Sequence, residues 1–159
     1  MKFNGTSWVL VGSQGFSAGS ASYSSLAIDS AGTVYIAFQD AGNSYKSTVM
    51  KFNGSSWVLV GSAGFSANAI SRPILAIDSN DVPILLYSYA TDTMMGMNLN
   101  MIVMKFNGST WENLGTTNFV GPASSNNLNH SLNIDSDNTI YISYPSRSGS
   151  EKLNVQKYK

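Results

Sequence analysis

Residues 33–39, Thr-Val-Tyr-Ile-Ala-Phe-Gln, alternate in polarity and place Val34, Ile36 and Phe38 on one side of an extended chain. β-Branched and aromatic residues dominate this stretch, which predicts a strand with one inward face. Residues 24–29 predict a strand before it, ended by the turn Ser30-Ala31-Gly32. A polar loop over 40–46 leads to a third strand, 47–52. Asn53-Gly54 follows, the strongest short hairpin signal when both residues take positive φ in a type I′ turn, and 57–60 predict a fourth strand. No window carries helical periodicity, and Gly, Ser and Asn interrupt every stretch long enough for a helix. The pattern predicts an all-β protein.

The same pattern returns along the chain. Met50 to Gly61 reads MKFNGSSWVLVG; Met1 to Gly12 repeats it with Thr6 in place of Ser55, and Met104 to Gly115 repeats it as MKFNGSTWENLG. Lys2, Lys51, Lys105 and Lys157 mark one phase with spacings of 49, 54 and 52 residues. Leu26-Ala-Ile-Asp-Ser30, Leu75-Ala-Ile-Asp-Ser79 and Leu132-Asn-Ile-Asp-Ser136 mark a second phase. Positions 1–18 and 50–67 differ only at Thr6/Ser55 and Gln14/Ala63, which points to recent duplication. The second repeat predicts strands over 73–78, 82–89, 100–106 and 110–114, with a long loop at 90–99 that carries Met94, Met95 and Met97. The third predicts strands over 131–135, 139–144 and 153–158, preceded by a loop over 116–130.

Composition narrows the possible chemistry. The 159 residues suffice for one domain with a core. Charged residues make up 11% against the usual quarter, and polarity comes instead from Ser, Asn, Thr and Gly. Nine basic residues balance nine acidic ones, so no electrostatic footprint for nucleic acid or an anionic membrane is expected. No apolar run approaches a bilayer span. Cysteine is absent, which excludes disulfides and thiolate chemistry. Met1 is not followed by signal-peptide features and falls where Met50 and Met104 fall. The chain thus starts mid-repeat, as a fragment of a longer array or by a start placed there. Extracellular or cell-surface placement is expected if it belongs to a longer secreted protein.

Units of about 50 residues with four antiparallel strands and one Trp resemble β-propeller blades. The likeness rests on Ile28 to Phe38 and Val49 to Gly61 and covers nearly the whole chain. By that resemblance the strands run A to D outward from a central axis: LAID is A, VYIAF is B, VMKF is C and SWVLV is D. The chain then divides into 1–23 (strand D and a loop), 24–72 (one blade), 73–130 (a second) and 131–159 (strands A to C of a third). Three blades are too few for a ring, since propellers have four or more. A C2 homodimer in which each chain lends its N-terminal D strand to the other would give a six-bladed ring. The alternative architecture is a monomeric β-trefoil.

Candidate chemistry is sparse. Asp29, Asp78 and Asp135 recur at one position, and the favoured reading is a side-chain cap on a tight turn rather than a carboxylate ring. Asp135-Ser-Asp137-Asn138 lacks the glycine and the distant Glu of a calcium loop. The Asp-box of sialidase-type propellers fails at Ala27, Ala76 and Asn133, and the chain has only Arg72 and Arg147 where such enzymes need three arginines. His130 is the only histidine, too little for a metal site. Tyr23-Ser24, Arg72-Pro73 and Asn129-His130 are equivalent pairs that lead into strand A. In a propeller the D–A and B–C loops share one face, at the mouth of the channel. Tyr23, Arg72 and His130 are therefore candidate ligand contacts there, with Arg147 beside them. Phe16, Phe65 and Phe119 recur in the D–A loop, as blade packing or as a platform for a sugar ring. Trp8, Trp57 and Trp111 open strand D and are expected to pack between blades. The Asn-x-Ser/Thr patterns at Asn4, Asn53 and Asn107 are better explained by the hairpin turn, and the bacterial look of the composition argues against a glycan there or at Asn129.

These features favour a non-catalytic binding or scaffold module, for glycans or proteins, with no cofactor or metal. The alternative is a hydrolase or lyase with its site at the channel mouth, using Asp, His130 or Arg72.

Overall fold

A computed structural model describes residues 1–93, 96–115, 119–120, 129–145 and 152–159, the positions 92–93, 96–99 and 119–120 by their backbone alone. Two short strands, β1 (Lys2–Phe3) and β2 (Trp8–Val9), form a hairpin of their own. A four-stranded antiparallel sheet follows in the order β3 (Ala21–Ile28), β4 (Val34–Asp40), β5 (Lys46–Phe52), β6 (Trp57–Leu59). The second sheet is β7 (Ser71–Ile77), β8 (Pro83–Thr93), β9 (Gly96–Phe106), β10 (Trp111–Asn113), again in chain order. A two-residue strand, β11 (Phe119–Val120), joins the edge of β9 beside Met101 and Asn100. The third sheet is β12 (Ser131–Ile134), β13 (Ile140–Pro145), β14 (Leu153–Tyr158). The chain is all-β, as its alternation predicts. One 3₁₀ turn over Ala41–Asn43 is the sole helical piece among the described residues.

Two local expectations are corrected. The Asn-Gly turns are four-residue loops rather than two-residue type I′ turns, because Phe52 pairs with Trp57 across Asn53–Ser56. Only Gly54 of the pair has positive φ, at 98°. Asn53 acts through its side chain: its Oδ1 accepts the N–H groups of Ser55 (3.0 Å) and Ser56 (2.9 Å). Asn4 and Asn107 do the same in their hairpins, an Asx turn that satisfies the loop's own backbone. The second correction concerns 90–99, which is not wholly loop. β8 and β9 continue through it, pairing Ala90 with Leu99 and Thr93 with Gly96. Met94 and Met95 lie outside the described residues, and Met97 lies within β9.

The sheets stack face to face. Tyr35, Ala37 and Val49 of the first sheet meet Leu75, Leu85, Tyr87, Ile102 and Met104 of the second. The opposite face of the second sheet sets Ile84, Leu86, Met101 and Val103 against Leu132, Ile140 and Ile142 of the third. Burial on both faces explains why 84–87 (ILLY) and 101–104 (MIVM) are unbroken apolar runs, whereas 153–158 (LNVQKY) alternates. The first strands of the three sheets adjoin: β3 lies along β7, and β7 along β12. Leu75 N donates to Ser25 Oγ at 3.0 Å between the first two.

Trp57 and Trp111 are each seated across a sheet boundary. Trp57 Nε1 donates to the Val11 carbonyl (2.9 Å), and its ring stacks on Phe16 at 4.5 Å. Trp111 Nε1 donates to the Val60 carbonyl (2.8 Å), and its ring stacks on Phe65 at 4.7 Å. Phe52 and Phe106, at the ends of β5 and β9, tilt against the same indoles. Gly12 and Gly61 floor these seats. A Cβ at Gly12 would lie 2.8 Å from the Phe52 ring, and one at Gly61 3.1 Å from Trp111. The expectation that these Trp residues pack between repeats therefore holds for Trp57 and Trp111.

The turns between the first and second strands of each sheet form cross-sheet clips. Asp29, Asp78 and Asp135 each accept two N–H bonds within their own turn, from Ala31 and Thr33, Asn80 and Val82, and Asp137 and Thr139. The last turn position is left-handed in all three: Gly32 (φ 81°), Asp81 (φ 60°) and Asn138 (φ 61°). From there Asp81 reaches back to the first sheet and accepts from Ser30 Oγ (2.6 Å) and Ser30 N (2.7 Å). Asn138 likewise accepts from Ser79 N at 2.8 Å.

The Ser30 hydroxyl, then its N–H, hold the Asp81 carboxyl below the usual carboxylate range. A depressed carboxyl adds stability that is complete above its unfolded pKa, about 3.9, and is lost as pH falls through the lower folded value. Melts taken below about pH 4 should therefore fall less steeply with acid in Asp81→Asn than in the parent, since Asn does not titrate; its single Oδ1 still accepts from Ser30 N, and its Nδ2 can only donate toward Ser30 Oγ. Identical acid slopes would remove Asp81 from the account.

Candidate functional site

The end of the sheets opposite these clips carries the starts of β3, β7 and β12 and the loop after β4. Both β3 and β7 are bulged at their start: register shifts between Ser22 and Ser25 and between Ser71 and Ile74. Within the bulges Tyr23 (φ 49°) and Arg72 (φ 48°) take left-handed backbone, which side chains adopt at a cost of about 1–3 kcal/mol. Bulges of this kind re-aim a side chain out of the strand's alternation, and both residues are exposed. Repeat alignment sets Tyr23, Arg72 and Asn129 in equivalent places, and the structure gives the first two the same unusual backbone.

His130 is half-buried beside this position, and its Nε2 lies 2.9 Å from the Arg72 carbonyl. A carbonyl only accepts, so the contact places a proton on Nε2. It joins the third sheet to the second at the loop end and brings two sequence-predicted residues together. Tyr23 stands on the neighbouring strand β3 and, with Phe16, Ser17, Ser22, Ser24 and Phe38, lines a cavity of about 230 Å³. Phe16 and Phe65 each give one ring face to a tryptophan. Phe119 lies in β11, where its backbone is described and its side chain is not; Arg147 lies outside the described residues.

Beneath this surface sits a network centred on Asp40, which residue-type reasoning did not single out. Asp40 is 1% exposed. Its carboxylate accepts from Gly42 N (3.0 Å), Asn43 Nδ2 (2.8 Å) and Thr48 Oγ1 (2.8 Å). Thr48 Oγ1 in turn accepts from Gly64 N at 3.0 Å, which ties the loop after β4 to the connection that follows β6. Gln39 Nε2 donates to the Ile70 carbonyl and fastens the start of β7 to β4. The only hint in the sequence is Asp40-Ala-Gly-Asn43, a set of turn residues whose first member caps the turn.

No protein-family model matches the chain, and no curated protein is significantly similar to it. The clip carboxylates stand at the far end: Asp29 is six residues along β3 from Tyr23, roughly 20 Å in an extended strand. Among the described residues, no three His, Asp or Glu side chains converge. A second concavity of about 430 Å³, missed by sequence reasoning, lies at the clip end between the first two sheets, lined by Tyr35, Lys51, Asp81, Lys105 and Asn107.

Proposed function

We propose that the chain is a non-catalytic β-propeller binding module that takes a carbohydrate at the loop end of its sheets, two copies completing the ring. The observation that carries this reading is the pair of matched left-handed bulges at Tyr23 and Arg72. Strained backbone repeated at two equivalent exposed positions presents an aromatic ring and a guanidinium on adjoining strands. Rings and planar cations suit the faces and hydroxyls of a sugar. Serine hydroxyls at 22 and 24 add hydrogen-bonding groups beside Tyr23, and the half-buried His130 lies against the Arg72 backbone. The turn-capping role of Asp29, Asp78 and Asp135 also favours binding over hydrolysis, since each carboxylate is already committed to backbone N–H groups.

The test is a glycan array followed by titration calorimetry on the parent, Tyr23→Gly and Arg72→Gly. Glycine accepts the left-handed backbone without strain, so each variant removes a side chain and keeps the bulge. Each is expected to weaken binding by about tenfold or more, a loss of about 1.4 kcal/mol. An array without a binder, or a binder indifferent to both changes, would sink the proposal.

A further inference from the structure

The seats of Trp57 and Trp111 have a third counterpart. Leu114, Gly115 and Tyr158 occupy the places of Val60, Gly61 and Phe106 at the boundary between the second and third sheets. Gly115 has the same left-handed backbone (φ 75°), and its Cβ position lies 3.2 Å from the Tyr158 ring. Around them, with Val103, Ile140 and Ile142, lies an apolar cavity of about 480 Å³. The third sheet has no strand beyond β14 among the described residues. Trp8 is the one tryptophan left exposed, at 65%, on a hairpin that pairs with no sheet.

We infer that Trp8 of a second copy fills this cavity, its β2 pairing with β14 in place of its own β1. This rests on the ring-closing reading above and specifies how the two copies join. The repeats set the register. Phe52 pairs with Trp57, Lys51 with Val58 and Met50 with Leu59 in the first sheet. Tyr158 therefore pairs with Trp8, Lys157 with Val9 and Gln156 with Leu10 of the second copy. Within one copy, β1 already holds the same edge of β2, through Lys2 with Val9 and Phe3 with Trp8. β1 is two residues long and β14 is six, so exchange trades a short ladder for the edge of a full sheet. Joining also covers positions that are buried wherever two sheets already meet. Leu26 is 62% exposed where its equivalents Leu75 and Leu132 are 4% and 7%. Val155 is 65% exposed where Val49 and Val103 are 0% and 5%.

The chain has no native cysteine, so cross-linking can test the register directly. Antiparallel partners lie within disulfide reach. A re-equilibrated mixture of Val9→Cys and Lys157→Cys chains under a glutathione couple is expected to give a covalent species of twice 17.0 kDa. Each variant alone should stay uncross-linked, since Val9 then faces Lys157 of the other copy. A second variant, Lys2→Cys/Val9→Cys, ties β1 to β2 within one chain and should weaken association by about tenfold or more. A dimer by mass that yields no mixed disulfide, or that tolerates the β1–β2 tie, overturns the exchange and leaves ring closure by other faces. A monomer by mass overturns both.

Discussion

Trp111→Ala is expected to lower folding stability by about 3–5 kcal/mol, the cost of emptying a large aromatic site in a core. The indole is 8% exposed, stacks on Phe65, tilts on Phe106 and closes over Gly61. Neighbours from both sheets surround it, and glycine at 61 has no side chain with which to collapse into the space. Urea unfolding should show a fall in midpoint with little change in slope. Trp111→Phe separates the two components: it keeps the ring stack but leaves the buried Val60 carbonyl without its donor, a penalty of about 1–3 kcal/mol. Trp8→Ala is the control. At concentrations that keep copies apart, removing this exposed ring should change stability by no more than about 0.5 kcal/mol. A loss below about 1 kcal/mol for Trp111→Ala would mean that the boundary between the first two sheets is not held at this seat.

Repetition made the strand order readable. Once Lys51 and Asp29 were aligned with their counterparts, each sheet's sequence of strands followed, including the split between a separate two-stranded hairpin at the start and a three-stranded last sheet. The capping role of Asp29, Asp78 and Asp135 was readable too, because Asp before a Ser and a left-handed residue has few other uses. What the residues did not disclose depends on backbone geometry. Asn53-Gly54 names a turn, but which residues pair across it is decided by the two N–H groups that Asn53 Oδ1 collects. The polar stretch around Thr91 and Asn98 reads as loop, yet a ladder is made by backbone groups that polar side chains do not forbid. At the site, alignment alone marked Tyr23, Arg72 and Asn129 as equivalent, with His130 next in sequence. The left-handed backbone of Tyr23 and Arg72, and the hydrogen bond from His130 to the Arg72 carbonyl, have no compositional signature. The cross-sheet reach of Asp81 was invisible for the same reason, since it spans 51 residues of sequence.

Asp40→Ala is expected to cost about 2–4 kcal/mol and to loosen the loop end as a whole. Removing the buried carboxylate leaves Gly42 N, Asn43 Nδ2 and the Thr48 hydroxyl without an acceptor; the buried Thr48 hydroxyl carries a penalty of about 1–3 kcal/mol, and the more open Gly42 and Asn43 donors, which water reaches, add less. The damage should spread beyond the turn. Thr48 Oγ1 holds Gly64 N, so a hydroxyl released from Asp40 slackens the connection after β6 as well. Gly19 packs on the same turn, its Cβ position 2.9 Å from Gly42 N, and carries the movement toward Tyr23 at the start of β3. Hydrogen exchange should therefore accelerate at Gly42 and Gly64 together, while the amides of β8 and β9 keep their protection. Asp40→Asn retains one acceptor oxygen and should fall between the parent and Asp40→Ala. If Gly42 alone loses protection, the two loops are independent, and the proposed binding surface at Tyr23 and Arg72 is held up by the bulges rather than by Asp40.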